Sequence, residues 1–300
     1  MRICSLLPSI TEILFEIGLG DQVVAVTHEC DWPPRAQSIP HVTRSRIQTE
    51  HSSSAAIDAQ VRAEAGSLYD LDRPLLAELA PDVILTQSLC PVCAVDETMV
   101  RDWAAGLAPA PSVHAYHPRT IAEVLASIHD IGRVTGAERE AQSLVDRFRA
   151  SSQRIRAEVA AIDRPLRVVC LEWTDPPFAC GHWTPELVSI AGGEEQLGRA
   201  GQPSRQATWQ ELRDADPEVL LIAPCGFTLP RTLREMSDLE RREGWDALAA
   251  TRRGRVFCCD GSAYFNRPGP RLLDSLHILA EAIHPDRFRS LAPSHSFQRV

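Results

Sequence analysis

The chain has 300 residues, enough for one large α/β domain or two modest lobes, each with its own core. At 44% hydrophobic and 24% charged residues the composition is that of a soluble globular protein. A net charge of -9 argues against a nucleic-acid partner, which needs a basic face, and all 31 basic residues are arginine.

Met1-Arg2 runs into Ile3-Cys4-Ser5-Leu6-Leu7 and then Pro8. This reads as a first strand over 2–7 ending in a turn. It lacks the basic start, apolar core and small-residue cleavage site of a secretory signal. No apolar run approaches the length of a membrane span. The expectation is a cytoplasmic protein whose nine cysteines are mostly reduced.

Ser9-Ile10-Thr11-Glu12 has the form of a capping box for a helix over 9–18, which Gly18 would close. Strands follow over 23–27, 82–86 and 112–116, with helices over 72–80, 95–105 and 119–133. The stretch 137–161 has few breakers and apolar residues at helical spacing (Leu144, Val145, Phe148, Ile155, Val159), which predicts one helix of about seven turns. A second series brings strands 166–172, 218–223 and 255–259 and helices over 185–191, 208–215, 232–249 and 270–283. The two series echo one another: "LLAELAPDVILTQ" (75–87) matches "ELRDADPEVLLIA" (211–223). The expected fold is α/β, with two Rossmann-like lobes joined by a single long backbone helix and a ligand cleft between the lobes. The expected division is 1–118, 119–163 and 164–300.

Ligands in open α/β sheets sit beyond the carboxyl ends of the strands. The loops at those ends are rich in chemistry. After strand 23–27 come His28, Glu29, Cys30, Asp31 and Trp32, then Arg44 and Arg46. After 82–86 come Gln87, Cys90 and Cys93. The third loop holds Glu172, Trp173, Phe178, Cys180, His182 and Trp183. Phe227 follows 218–223, and Tyr264, Asn266 and Arg267 follow 255–259.

Each has a plainer reading. A single Cys-x-x-Cys is not a zinc ribbon, which needs a second pair. Cys90 and Cys93 can still join His28, Cys30 and His182 to hold zinc or iron from separate loops. Arg44 and Arg46 share one face of an extended segment and suit a carboxylate or phosphate, or stand solvated. Trp32, Trp173 and Trp183 either line a pocket or pack in a core.

"DWPPRAQ" (31–37), "LAPDVILTQ" (79–87), "DPPFACG" (175–181) and "NRPGPRLLDSLHILA" (266–280) carry a family likeness. Over most of 1–285 the chain resembles the helical-backbone (class III) solute-binding proteins of ABC importers, above all the vitamin B12-binding proteins. The resemblance implies two rigid lobes, one spine helix and a cleft for cobalamin or a related corrinoid, with Trp32, Phe178 and Tyr264 among its contacts. A planar macrocycle fits aromatic faces. The chain departs from the family in two ways. It shows no export signal, and Pro74 and Gln210 stand where importer-docking members carry glutamates, although Glu78 and Glu211 are near.

The functional expectation is therefore a cytosolic corrinoid-binding protein without a permease partner. One alternative is a metal-dependent enzyme with a Cys/His site in the same cleft and Glu29 or Glu172 as acid/base. Another is an importer substrate-binding subunit.

Overall fold

The computed structural model describes residues 1–49, 51–64, 68–87 and 97–300. The chain divides into two compact units. The first comprises residues 1–52, 56–118 and 123–146; the second comprises 53–55, 119–122 and 147–300.

The first unit opens with β1 (Ile3–Ser5), α1 (Pro8–Glu16) and β2 (Val23–Ala25). Then come β3 (Thr43–Ser45), α2 (Ser54–Ala63), β4 (Tyr69–Leu71), α3 (Arg73–Leu79) and β5 (Val83–Gln87). It ends with α4 (Glu97–Ala105), β6 (Ser112–Tyr116) and α5 (Ile121–Thr135). β2, β1, β5 and β6 form a parallel sheet in that order. A parallel sheet covered on both faces demands unbroken apolar strands, which is why Val83-Ile84-Leu85 shows no alternation and is buried throughout. β3 and β4 form a separate antiparallel ribbon, which the sequence reading did not anticipate.

α1 starts differently from the expectation. Pro8, whose missing N–H costs nothing there, takes the first helical position. Ser9 and Thr11 are buried, and Thr11 Oγ1 donates to Ser5 Oγ at 2.8 Å. No side chain caps this end. The other end is as expected, because Gly18 takes φ +81° and no β-carbon opposes that conformation. The long helix α6 (Glu138–Val159) has 22 residues, about 33 Å at 1.5 Å per residue. It buries the stripe Leu144, Val145, Phe148 and Ile155. Residues 138–146 belong to the first unit and 147–159 to the second, so this helix carries the chain from one unit to the other.

The second unit contains β7 (Leu166–Thr174), β8 (Pro177–Ala179), α7 (Thr184–Ile190), β9 (Gly193–Glu195), β10 (Arg205–Gln206), α8 (Trp209–Ala215) and β11 (Val219–Ile222). It continues with α9 (Leu229–Glu240), α10 (Ala249–Arg252), β12 (Val256–Cys259), α11 (Leu272–Ile283) and β13 (Phe297–Arg299). Its sheet runs β10-β8-β7-β11-β12-β13, with β9 beside β7. β9, β7, β11 and β12 are parallel; β8, β10 and β13 add antiparallel edges. Val169, Leu171, Leu220, Ile222 and Val256 form its core with Leu212 and Met236. The expected helix over 232–249 is interrupted, because Gly244 at φ +80° turns the chain between α9 and α10. Among the described residues, no helix is long and apolar enough to cross a membrane.

Candidate functional site

In the second unit, three loops leave the carboxyl ends of the parallel strands β7, β11 and β12 and are laced together. Cys225 N donates to Glu172 O at 3.0 Å, and Ser262 N donates to Phe227 O at 3.0 Å. Asn266 Nδ2 donates to Ala223 O at 3.0 Å and to Gly261 O at 2.8 Å. Gly261 permits this contact, since a β-carbon there would lie 2.1 Å from Pro224 O. Asn266 therefore organises the loop edge.

On that edge the Trp173 and Phe227 rings tilt against each other with centroids 5.0 Å apart. The Arg231 guanidinium lies 4.6 Å over Phe227 and pairs with Glu235 at 3.3 Å. Arg271 lies 4.7 Å over Tyr264. Glu172 and Phe178 are half-buried, on β7 and β8. Arg267 is buried and donates to Ser262 Oγ at 3.2 Å. Trp183 is only 4% exposed, and its Nε1 donates to Phe265 O at 2.7 Å. That makes it a packing tryptophan that ties the loop after β8 to the loop after β12. His182 takes φ +52° beside it, rings 5.4 Å apart, and burial and nearby Arg119 lower its pKa.

In the first unit, the chain leaving β2 carries His28 to Trp32. Trp32 is 46% exposed, a large apolar face left in solvent, and Asp31 beside it is exposed. The bond between Trp32 and Pro33 is cis. Gln87, the last residue of β5, is buried. Arg46 is committed to carboxylates: its Nε donates to Asp70 Oδ1 at 2.7 Å, and Glu64 lies 3.7 Å away. Arg44, on β3, is exposed.

Two described members of the expected metal set have hydroxyl neighbours. The buried Cys30 thiol lies 3.1 Å from the hydroxyls of Thr11 and Thr27. His28 Nδ1 lies 2.7 Å from Thr43 Oγ1, and its Nε2 lies 3.4 Å from Glu29. Burial lowers the His28 pKa, opposed by the charge of Glu29. Cys90 and Cys93 lie outside the described residues. Among the described residues, the ligand-type atoms found together belong to Cys170, Cys180 and Glu195, within 4.8 Å of one another. The sequence reading did not name this group. The turn signal Asp175-Pro176-Pro177 midway between the two cysteines could have revealed it.

The family model described as "Periplasmic binding protein" matches residues 3–263. The chain belongs to this family. It is 25% identical over 293 residues to the uncharacterized ABC transporter substrate-binding lipoprotein YvrC of Bacillus subtilis, covering 96% of this chain and 81% of that one. The solved periplasmic vitamin B12 binding protein of Vibrio cholerae is 22% identical, with a TM-score of 0.67 over 95% of this chain and 96% of that one. A periplasmic heme binding protein from Pseudomonas aeruginosa gives a TM-score of 0.73 at 16% identity, over 95% and 93%. The family resemblance and the α/β class of two units are thereby established.

These findings overturn the expectation of a cytoplasmic corrinoid-binding protein acting without a membrane partner. The family is one of periplasmic binding proteins, and a relative aligned along nearly the whole chain is a transporter lipoprotein. The metal-dependent enzyme reading falls with it, and the zinc or iron set gains no support from family or relatives. Among the described residues the ligand-type atoms that come together are those of Cys170, Cys180 and Glu195, and His28, Cys30 and His182 form no such group. Of the three readings, the importer subunit is the one these findings favour.

Proposed function

We propose that this protein is the substrate-binding subunit of an ABC importer and carries a bulky planar macrocycle of the corrinoid or haem class. The observation that carries the proposal is the aromatic furnishing of strand ends in a chain of this family. Trp32 stands exposed beyond β2, Trp173 lies half-buried near the end of β7 with buried Phe227 packed against it, and Tyr264 lies half-buried on the loop beyond β12. Aromatic faces hold a flat ring system by stacking and exclusion of water. Asp31, Arg44, Gln87, Glu172, Phe178, Asn266 and Arg267 supply the polar and positioning groups. The vitamin B12 and heme proteins of like fold support this ligand class.

As an importer subunit the protein docks on a permease. Pro74 and Gln210, both exposed, are not acidic, and Glu211 is spent on its own helix, where it accepts from Thr208 N at 2.7 Å. The docking contact accordingly uses other groups, and exposed Glu78, one helical turn beyond Pro74 on α3, is a candidate.

The test is retention of a coloured ligand. Purified protein is incubated separately with cyanocobalamin and haemin, passed through a desalting column and examined by visible absorbance and isothermal titration. The expected result is one equivalent of one macrocycle, with affinity lowered by Trp32→Ala. Binding of neither macrocycle refutes the proposal, as does binding indifferent to changes at both Trp32 and Trp173.

A further inference from the structure

Cys170 on β7 and Cys180 just after β8 lie directly across a hairpin. The register pairs Leu171 with Ala179, and one step further Cys180 N donates to Cys170 O at 3.0 Å. Opposed residues of antiparallel strands project to the same face, and the two sulfurs lie within 4.8 Å of each other. A Glu195 carboxylate oxygen lies within the same distance of both, and both cysteines are buried, at 2% and 3% exposure.

The Glu195 carboxylate is already occupied. It accepts from the backbone N–H of Cys170 at 3.0 Å, Leu197 at 3.0 Å and Gly198 at 3.1 Å. A carboxylate has about four lone-pair positions, so these donors leave it little capacity for a cation. The cluster suits a bond between the sulfurs better than a metal. The two cysteines need no prior use in ligand binding, and the periplasmic family places the chain where disulfides persist.

We propose that Cys170 and Cys180 close a cross-strand disulfide when the protein folds in oxidising surroundings. Both S–H bonds break, one S–S bond forms, and two protons and two electrons leave. A small-molecule disulfide takes up the electrons and is cleaved to two thiols, by way of a mixed disulfide. Burial raises both thiol pKa values, which keeps them protonated and out of reach in the folded chain. The bond therefore forms during folding and, once buried, resists reductant. It fixes β8 to β7 and so anchors the segment bearing Phe178, His182 and Trp183. The proposal is independent of the ligand reading, since its test measures sulfur chemistry in the ligand-free protein.

Reduced, unfolded protein is refolded in a mixture of oxidised and reduced glutathione, quenched in acid, alkylated in denaturant and digested with trypsin. Residues 168–199 contain no internal arginine or lysine, so Cys170 and Cys180 share one peptide, while Cys90 and Cys93 fall on another. The expected peptide carries no alkyl group and is lighter by two hydrogens. In the native protein it also survives a concentration of dithiothreitol that reduces it at once in denaturant. Oxidised wild type should unfold at a higher urea midpoint than reduced wild type, and Cys180→Ser should abolish that difference. A doubly alkylated peptide overturns the proposal, as does a cross-link from Cys170 to buried Cys259, its other cysteine neighbour. Should Cys180→Ser fail to fold, the wild-type peptide mass decides by itself.

Discussion

Glu218→Gln should destabilise the second unit by about 3 kcal/mol at pH 7 and leave ligand contacts untouched. Glu218, at the entrance to β11, is 1% exposed. Its carboxylate accepts from Arg164 at 2.7 and 2.8 Å, from Arg253 at 2.7 Å and from Arg167 N at 3.2 Å. Breaking a buried ion pair by removing one partner costs roughly 3–5 kcal/mol, and the lower end applies because the arginines are partly exposed and regain water. The hydrogen bonds from Arg164 hold the carboxyl well below its ordinary range, although burial pushes the other way. With the folded value depressed, the stabilisation is complete above the unfolded carboxylate pKa of about 4.3. It is then lost as pH falls from there toward the folded value. Urea unfolding followed by circular dichroism should therefore show a wide gap between wild type and Glu218→Gln at pH 7 that narrows at pH 3.5. Equal midpoints at pH 7 would refute the reasoning, and so would a gap that widens on acidification.

Trp183→Ala removes a buried ring and its bond to Phe265 O, and should cost about 3–5 kcal/mol in urea unfolding. Asn266→Ala cuts one hydrogen bond between loops and one within its own loop and should cost about 1–3 kcal/mol while weakening macrocycle binding, read by unfolding and titration together. Trp32→Ala should do the opposite. With its ring 46% exposed it should leave the urea midpoint within about 0.5 kcal/mol, yet lower affinity about tenfold or more in isothermal titration.

Parallel strands and the long helix were legible because their signals are local and strong. Val83-Ile84-Leu85 is continuously apolar, and the stripe from Leu144 to Ile155 keeps helical period. The short antiparallel pieces were not. β3, β4, β8 and β13 have three residues each, and pairing rather than propensity makes them strands. The capping box at Ser9 misled because it shares its letters with a buried hydrogen-bond pair, Thr11 with Ser5. A box with both reciprocal bonds exists at Thr208 and Glu211, and it consumes the acid that stood beside the expected docking position. Of the residues placed after strands, Trp32, Phe227, Tyr264, Asn266 and Arg267 fall on strand-end loops, whereas Gln87, Glu172, Trp173 and Phe178 lie within strands. Trp32 offers an open face, whereas Trp183 and Asn266 spend their polar groups on carbonyls of neighbouring loops.

The location was misread for a different kind of reason. It rested on what the first residues lack, while the family signal is spread from residue 3 to residue 263. The error propagated: once the chain was taken as cytoplasmic, its cysteines were read as mostly reduced. With that premise gone, the thiols separate by geometry. Cys30 is paired with threonine hydroxyls, and Cys258 sits in the core with its pKa pushed up to about 12 by burial. Cys170 and Cys180 alone among the described cysteines combine cross-strand register with sulfurs within 4.8 Å of each other and of a Glu195 carboxylate oxygen. The carboxylate beside them is saturated by backbone donors, so the chemistry open to that cluster is oxidation, and its effect falls on the hairpin that leads into the aromatic loop.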